Sequence, residues 1–552
     1  MTSKKTFLKR FINFSWLKEI SGENLFLIYA ILVLLISFCT YFVNYQNPQA
    51  PFWDENFHIA SAEKYIQGDF FMENHPPLAK MLIAVGEVIW NPNKDIDKSE
   101  FVKTDYIKEF PKNYSFTGVR FFPALAGFLS CFLFFLLLYL ISRNSHLSFL
   151  FSSLYLFNNQ MIVHFRGAML ESIQIFFGLL VLLYTVHLYL RSKKIKLWEY
   201  LILGVLVGLV ASVKINSLIM LLVFPFLFLT RTQFSVLDRK EIFQTIKKLV
   251  IKGSFFVFGV GLIFMSISYL HLAIAHKQLP DKENNNGYKI IPSYQEVLDK
   301  KDYYNPLNAY KASLAWYFYQ NQYNNGVPKL DEAKPDENGS YPTDWLVGRK
   351  AISYRWEKYP IEKKNHFTYN LFEPDGSKTI TLDEYSQLPE NEKNNWFVVV
   401  KYLYIQTNPI ITFVSLAALV LALGLIIAVA FFGLKVQNKN LFNLILFFIF
   451  LYGFYMFSAL RTERVLYLYH YLIPSIFLFI AGFLVFLYRF ETILREDDYW
   501  RKRLYFLVAL VAAAIFISFV FFAPFTYYLP LSSQEFQMRN WFSFWGLKDV
   551  SG

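Results

Sequence analysis

Long apolar runs alternate with short polar segments through most of this chain. Eleven runs are long enough, or nearly so, to cross a bilayer as helices: about 25–43, 118–141, 146–163, 169–190, 198–213, 215–230, 253–275, 409–433, 441–459, 465–488 and 504–523. The pattern predicts an all-α polytopic membrane protein. Two polar segments, 45–117 and 276–408, are too long to be simple connections. In the first, Phe57, Ile59, Ala62 and Ile66 fit the apolar side of a short interfacial helix. Pro76 and Pro77 cannot continue that helix and suit the first turn of another, over about Leu78 to Trp90. The second, rich in Asn, Lys, Asp and Tyr, predicts a folded external domain. The expected organisation is a basic N-terminus at 1–24, a transmembrane module at 25–275 carrying the loop 45–117, an external loop domain at 276–408, a four-helix module at 409–523 and a tail at 524–552.

Composition agrees with that class. Of 552 residues, 55% are hydrophobic, 20% aromatic and 17% charged, more apolar surface than a soluble core of this size needs. The net charge of +12 would raise nucleic acid as a partner in a soluble protein. Here the excess sits in short connections: Lys4, Lys5, Lys9, Arg10 and Lys18 before the first run, then Arg143, the cluster Arg191 to Lys196, Arg231 to Lys252, Lys435 with Lys439, and Arg495 to Arg503. The positive-inside rule therefore places the N-terminus inside, and 45–117, 276–408 and the C-terminus outside. No nucleic-acid partner is expected. Cys39 and Cys131 both lie in apolar runs and read as small hydrophobes.

Charges that break this bias mark the external ends of the spans: Arg120, His164, Arg166, Glu171, Lys214, Arg461, Glu463 and Arg464. Each alone could snorkel to the interface; together they describe a site that is both acidic and anion-binding. They share a side with Asp54 and Glu55, which open the stretch "FWDENFHIASAEKYIQGDFFMENHPPLAK". A sugar on a lipid phosphate carries a good leaving group. Its transfer needs a carboxylate to take a proton from the acceptor hydroxyl and cations to hold the departing phosphate. A solvated acidic loop ending in a proline turn is the plainer reading of the same stretch. Asp54, Glu55 and His58 also suit a divalent ion without requiring one, and no His/Cys cluster has metal-ligand spacing. His470 reads as a packed, hydrogen-bonded histidine.

The order of motifs resembles the protein O-mannosyltransferase family of the C-type membrane glycosyltransferases. "DENFH" at 54–58, "GDFF" at 68–71 and "HPPLAK" at 75–80 follow the family's first external loop. Further matches are "VRFFPALAG" at 119–127, "RGAMLESIQIFF" at 166–177, "KINSL" at 214–218, "SYPTDWLVGRKAISY" at 340–354, "TNPIITF" at 407–413 and "RVLYLYHYLIP" at 464–474. The resemblance runs from about residue 50 to Trp541 and Trp545. It implies Asp54 as the catalytic base with Glu55 as its acidic neighbour. It implies Arg120, Arg464 and Lys80 as donor-phosphate ligands, Arg120 alternatively holding the acidic pair. His75, Arg166, Glu171 and Lys214 are further substrate-site candidates. Three departures stand out: the family histidine comes one place before His58, Ala79 replaces a glycine, and Glu171 stands where eukaryotic members often have Asp. Segment 276–408 is also unlike the three-fold insert of eukaryotic members, which points to a bacterial-type protein of the inner membrane with its site facing the periplasm or exterior.

The expected activity is inverting transfer of a sugar, most simply mannose, from a polyprenyl-phosphate donor to Ser or Thr of exported proteins, with no cofactor required. A glycolipid acceptor is the nearest alternative. A lipid-linked sugar transporter is the alternative from another class, though the repeated halves and mid-span Gly-Pro breaks common in transporters are missing from the sequence.

Overall fold

The structure, a computed structural model, describes residues 22–232, 239–278, 291–334, 337–362, 380–393 and 395–550. Among these, eight helices are long and apolar enough to cross a membrane: Glu23–Phe42, Thr117–Ser142, Glu171–Leu190, Lys240–Ile274, Pro409–Phe431, Lys439–Leu460, Leu468–Glu496 and Asp498–Tyr527. The other three runs expected to span are helical but form no helix of that length among the described residues. Leu197–Ala211 and Ile215–Arg231 are shorter, parted where Lys214 takes an extended conformation at φ −152°. The run 146–163 divides into helices Ser145–Phe151, Ser153–Leu156 and Asn159–Phe165. The last of these starts where Asn158 accepts a hydrogen bond from the Met161 amide, 3.1 Å away. Asn caps a new helix more readily than it continues an old one, so an apolar run alone overstates continuity here.

The first loop folds inward. Helix Glu55–Gln67 ends at Gly68, which takes φ +77° and returns its amide to Lys64 and Tyr65 carbonyls. This helix is enclosed rather than interfacial: Ile59, Ala60, Ala62 and Tyr65 are buried, and so are Glu63 and Lys64, while Ile66 is the exposed residue of the expected apolar side. Burial of those charges is offset by partners, since Glu63 meets Lys98 at 3.0 Å and the Tyr114 hydroxyl at 2.9 Å, and Lys64 meets Asp105. Helix Leu78–Trp90 begins after the two prolines as expected. It lies directly on Thr117–Ser142, where a Cβ on Gly86 would stand 2.4 Å from the Gly118 carbonyl oxygen.

A small sheet qualifies the all-α expectation. Strand β1, Ile352–Glu362, pairs antiparallel with β2, Trp396–Ile405, and β3, Pro530–Leu531, pairs with β2 at Val400 and Lys401. A segment of the second loop and the C-terminal tail are thus hydrogen-bonded to each other. Trp545, Tyr402, Phe525 and Phe536 pack in one cluster beneath the sheet. From β1, Tyr354 stacks on Trp53 at 5.2 Å, and the Trp316 indole donates to the Glu73 carbonyl at 2.5 Å. The described parts of segments 45–117, 276–408 and 524–552 therefore meet on one face, over the stretch that carries Asp54.

Candidate active site

Backbone geometry sets the position of Asp54. Trp53 sits in the left-handed region at φ +52°, turning the chain into helix Glu55–Gln67. Asp54 occupies the N-cap position, yet its side chain caps nothing and is left for other partners. The Tyr469 hydroxyl donates to it, and the charges of Lys214, Glu171 and His164 act on it. Burial pushes the Asp54 carboxyl up to about 6, against the opposing pull of Lys214 and with Glu171 adding to the rise. The residue is half-buried rather than sealed. It is ionised at neutral pH and basic enough to accept a proton.

Glu55, its neighbour, is committed elsewhere. Arg120 donates from Nε to Oε1 at 2.6 Å and from Nη2 to Oε2 at 2.8 Å, and the amides of Phe52 and Ala168 donate to the same carboxylate at 3.0 and 2.7 Å. Arg120 spends its remaining N–H groups on the carbonyls of Gln46, Pro48 and Ala50. All five guanidinium donors are used inside the protein. The expectation that Arg120 binds a donor phosphate is corrected on that ground: this arginine holds the acidic residue and the loop before it.

A second buried set lies on the other side of Asp54. Glu171 accepts from Lys214 through Oε1 and from His164 Nε2 through Oε2 at 2.8 Å; His164 Nδ1 and the Tyr354 hydroxyl are 2.6 Å apart. Tyr469 stacks on His164 at 5.1 Å, and the Lys214 ammonium lies 5.4 Å over the Tyr469 ring. Glu171 and Lys214, both singled out from the sequence, are brought together here. His164, Tyr354 and Tyr469 complete the set.

Lys214 also faces outward. It lines a cavity of about 800 Å³ with polar side chains that include His75, Asn74, Asn216, Glu463, Arg464 and His470, and apolar ones that include Ile215, Leu218, Leu222 and Phe454. Arg464 forms neither hydrogen bond nor ion pair among the described residues. Among the described residues, the buried Asn74 Oδ1 and His75 Nδ1 have no hydrogen-bond partner. Burial, with the Lys214 charge, holds His75 well below the usual imidazole range, so it is neutral. His470 is packed as expected: Nδ1 accepts from the Tyr467 amide at 3.2 Å and the ring stacks parallel to Trp345.

Two further candidates do not reach the cavity as ligands. Lys80 is buried against Glu73 and donates to the His75 carbonyl at 2.9 Å, so its charge is consumed in shaping the His-Pro-Pro turn. Arg166 donates to the Val43 and Asn44 carbonyls at 2.7 and 2.5 Å and stacks over Tyr527 at 4.9 Å. Of the Asp54, Glu55 and His58 set, Glu55 is saturated with donors and His58 Nδ1 bonds the Ala168 carbonyl at 2.9 Å. Burial drives His58 down to about 3, leaving it neutral. Among the described residues, no three His, Cys, Asp or Glu side chains converge as a metal site.

Bundled membrane helices with a buried ion cluster and a cavity lined by both charged and apolar side chains define a polytopic membrane protein. The fold superposes on the S. cerevisiae protein O-mannosyltransferase Pmt1-Pmt2 complex bound to the sugar donor with a TM-score of 0.64, over 96% of this chain and 93% of that one, at 13% identity. Residues 31–276 match the family described as dolichyl-phosphate-mannose-protein mannosyltransferase, and residues 318–545 match the C-terminal four-transmembrane region of protein-O-mannosyltransferase. The chain belongs to the protein O-mannosyltransferase family.

Curated relatives include dolichyl-phosphate-mannose--protein mannosyltransferase 1 of Candida albicans, 30% identical over 259 residues, covering 46% of this chain and 28% of that protein. Dolichyl-phosphate-mannose--protein mannosyltransferase 6 of Saccharomyces cerevisiae is 28% identical over 189 residues, covering 33% and 24%. The chain thus spans less than a third of the length of these two relatives.

Proposed function

We propose that this protein transfers mannose from a polyprenyl-phosphate donor to Ser or Thr hydroxyls of exported proteins, with inversion, on the outer face of a bacterial inner membrane. The observation that carries this reading is the position of Lys214, whose charge bears on Asp54 and which also lines the amphipathic cavity. The polar side chains of that cavity suit a phosphate and a sugar, and its apolar ones suit a prenyl chain. Lys214 is the link between the base and that cavity.

In this reading Arg464 and Lys214 hold the lipid phosphate, and Arg464 does so with donors that no described residue engages. Asn74, Asn216 and neutral His75 offer hydrogen bonds to the sugar. The acceptor oxygen attacks the anomeric carbon while Asp54 takes its proton, and the bond from carbon to phosphate oxygen breaks with its electrons going to the phosphate. One displacement without a covalent intermediate inverts the configuration. Glu55 and Arg120 position Asp54 from behind, and Glu171 fixes Lys214. Arg120, Lys80 and Arg166 carry no ligand role in this account.

Purified protein given a Ser/Thr peptide and a panel of labelled polyprenyl-phosphate sugars tests the reading. Transfer of mannose in preference to other hexoses, with the opposite anomeric configuration in the product, is the expected result. Transfer only to a lipid acceptor would overturn the protein-acceptor assignment.

A further inference from the structure

A second large cavity has no part in this chemistry. About 810 Å³ in volume, it lies between the helices Pro409–Phe431, Leu472–Glu496 and Asp498–Tyr527, with Leu150 and Phe151 closing one side. Its wall is apolar, and small residues, Ala418, Gly482 and Ala512 among them, open the space. At one end stand two cations, Lys435 and Arg489. Both are exposed, and neither forms a hydrogen bond or ion pair among the described residues. The acidic residue nearest in sequence, Glu491, is already bound by Asn438 at 2.9 Å and Arg495 at 2.7 Å.

This charged end is remote from the candidate active site. Helix Pro409–Phe431 starts at Asn408, just after β2, and Lys435 follows its other end. The groove follows that helix from Phe413 to Leu425, about 18 Å at 1.5 Å per residue. One leaflet supplies roughly 15 Å of hydrocarbon. The apolar length therefore matches a lipid of a single leaflet, and the paired cations match an anionic head group at its surface.

We infer that this groove is a binding site for an anionic phospholipid of the leaflet opposite the active site, its phosphate held between Lys435 and Arg489. The site is separate from the donor cavity, and its occupancy does not depend on the proposed transfer activity.

Native mass spectrometry of the full-length protein in detergent, titrated with phosphatidylglycerol or phosphatidylcholine of equal chain length, reads the site directly. Phosphatidylglycerol should be retained preferentially. The double variant Lys435→Gln/Arg489→Gln should weaken its binding roughly 30-fold, and either single variant roughly fivefold, while phosphatidylcholine binding stays unchanged. Ala512→Leu should weaken both lipids by narrowing the groove. Unfolding temperature in lipid-free detergent shows that each variant is folded, and the single variants serve if the double does not fold. Equal retention of the two lipids, no effect of the charge substitutions in folded protein, or displacement of phosphatidylglycerol by an equal concentration of polyprenyl phosphate would each overturn the assignment.

Discussion

Arg120 grips Glu55 with two parallel hydrogen bonds, 2.6 Å from Nε to Oε1 and 2.8 Å from Nη2 to Oε2, with both side chains fully buried. A bidentate pair of this kind sets position as well as charge. Because Glu55 directly follows Asp54, the pair fixes where the base points. Removing Arg120 leaves a buried carboxylate with only two backbone donors. Arg120→Ala should therefore cost about 3 to 5 kcal/mol of stability, read as a lowered unfolding temperature in detergent. A stable Arg120→Ala protein whose only defect is a raised KM for donor would restore the phosphate role.

The pH dependence follows from Asp54. Its carboxyl is pushed up to about 6 by burial, and only the ionised form accepts a proton. kcat/KM should be level above that pH and fall about tenfold per unit below it. Glu171 contributes to the rise, so Glu171→Gln should move this acid limb to lower pH in whatever activity remains. An acid limb that stays near 4 in the wild-type protein would contradict the surroundings assigned to Asp54.

In the proposed transfer, Arg464 and Lys214 divide the leaving-group task unequally. Lys214 is shared with Glu171, whereas Arg464 has all its donors available to a ligand. Arg464→Ala should lower kcat by about 10² to 10³ with little change in unfolding temperature. Arg464→Lys should recover part of that loss, since it keeps the charge and gives up the planar fork. A large stability loss in Arg464→Ala would instead indicate a structural role.

Orientation has its own check. In a background lacking Cys39 and Cys131, cysteines introduced at the exposed positions Lys94, Lys300 and Lys548 should react with an impermeant reagent on intact cells, and one at Lys435 only after permeabilisation. Asn93 would be a poor probe, because it is buried against Glu87 and the Ser115 backbone. Labelling of Lys94 and Lys548 from opposite sides would contradict the shared face on which their segments meet.

Much of the architecture was legible in run lengths, because hydrocarbon thickness sets a length that sequence must match. Where a helix breaks was not: the polar triplet Asn158 to Gln160 and the stretch around Lys214 lie inside apolar runs whose length reads as a span, and the break shows only in the Asn158 cap on Met161 and in the pairing of Lys214 with Glu171. The sheet left a signal that went unread. "WFVVVKYLYI" at 396–405 is rich in β-branched and aromatic residues, the composition of a strand, inside a segment treated only as a polar domain. At the site, Asp54, Glu171, Lys214 and Arg464 stood out as charges in costly places. Their roles diverged from those of Arg120, Lys80 and Arg166 by pairing alone. Which cation keeps free donors depends on carbonyls such as Gln46 and Val43 that no side-chain pattern reveals. Tyr354 and Tyr469 both fall in quoted motifs, but Tyr354 reaches His164 across 190 positions and Tyr469 reaches Asp54 from far along the chain, so the motifs did not name their partners.

The central claim is that Asp54 drives cleavage of the bond between sugar and lipid phosphate. The most direct measurement follows release of free polyprenyl phosphate from labelled polyprenyl-phosphate mannose by the purified protein in detergent, with a Ser/Thr peptide present. Wild-type protein should release it, and Asp54→Asn should release it about two to four orders of magnitude more slowly while binding the donor with near-normal affinity. Near-normal turnover by Asp54→Asn, or no release by the wild-type protein with any acceptor, would contradict the account.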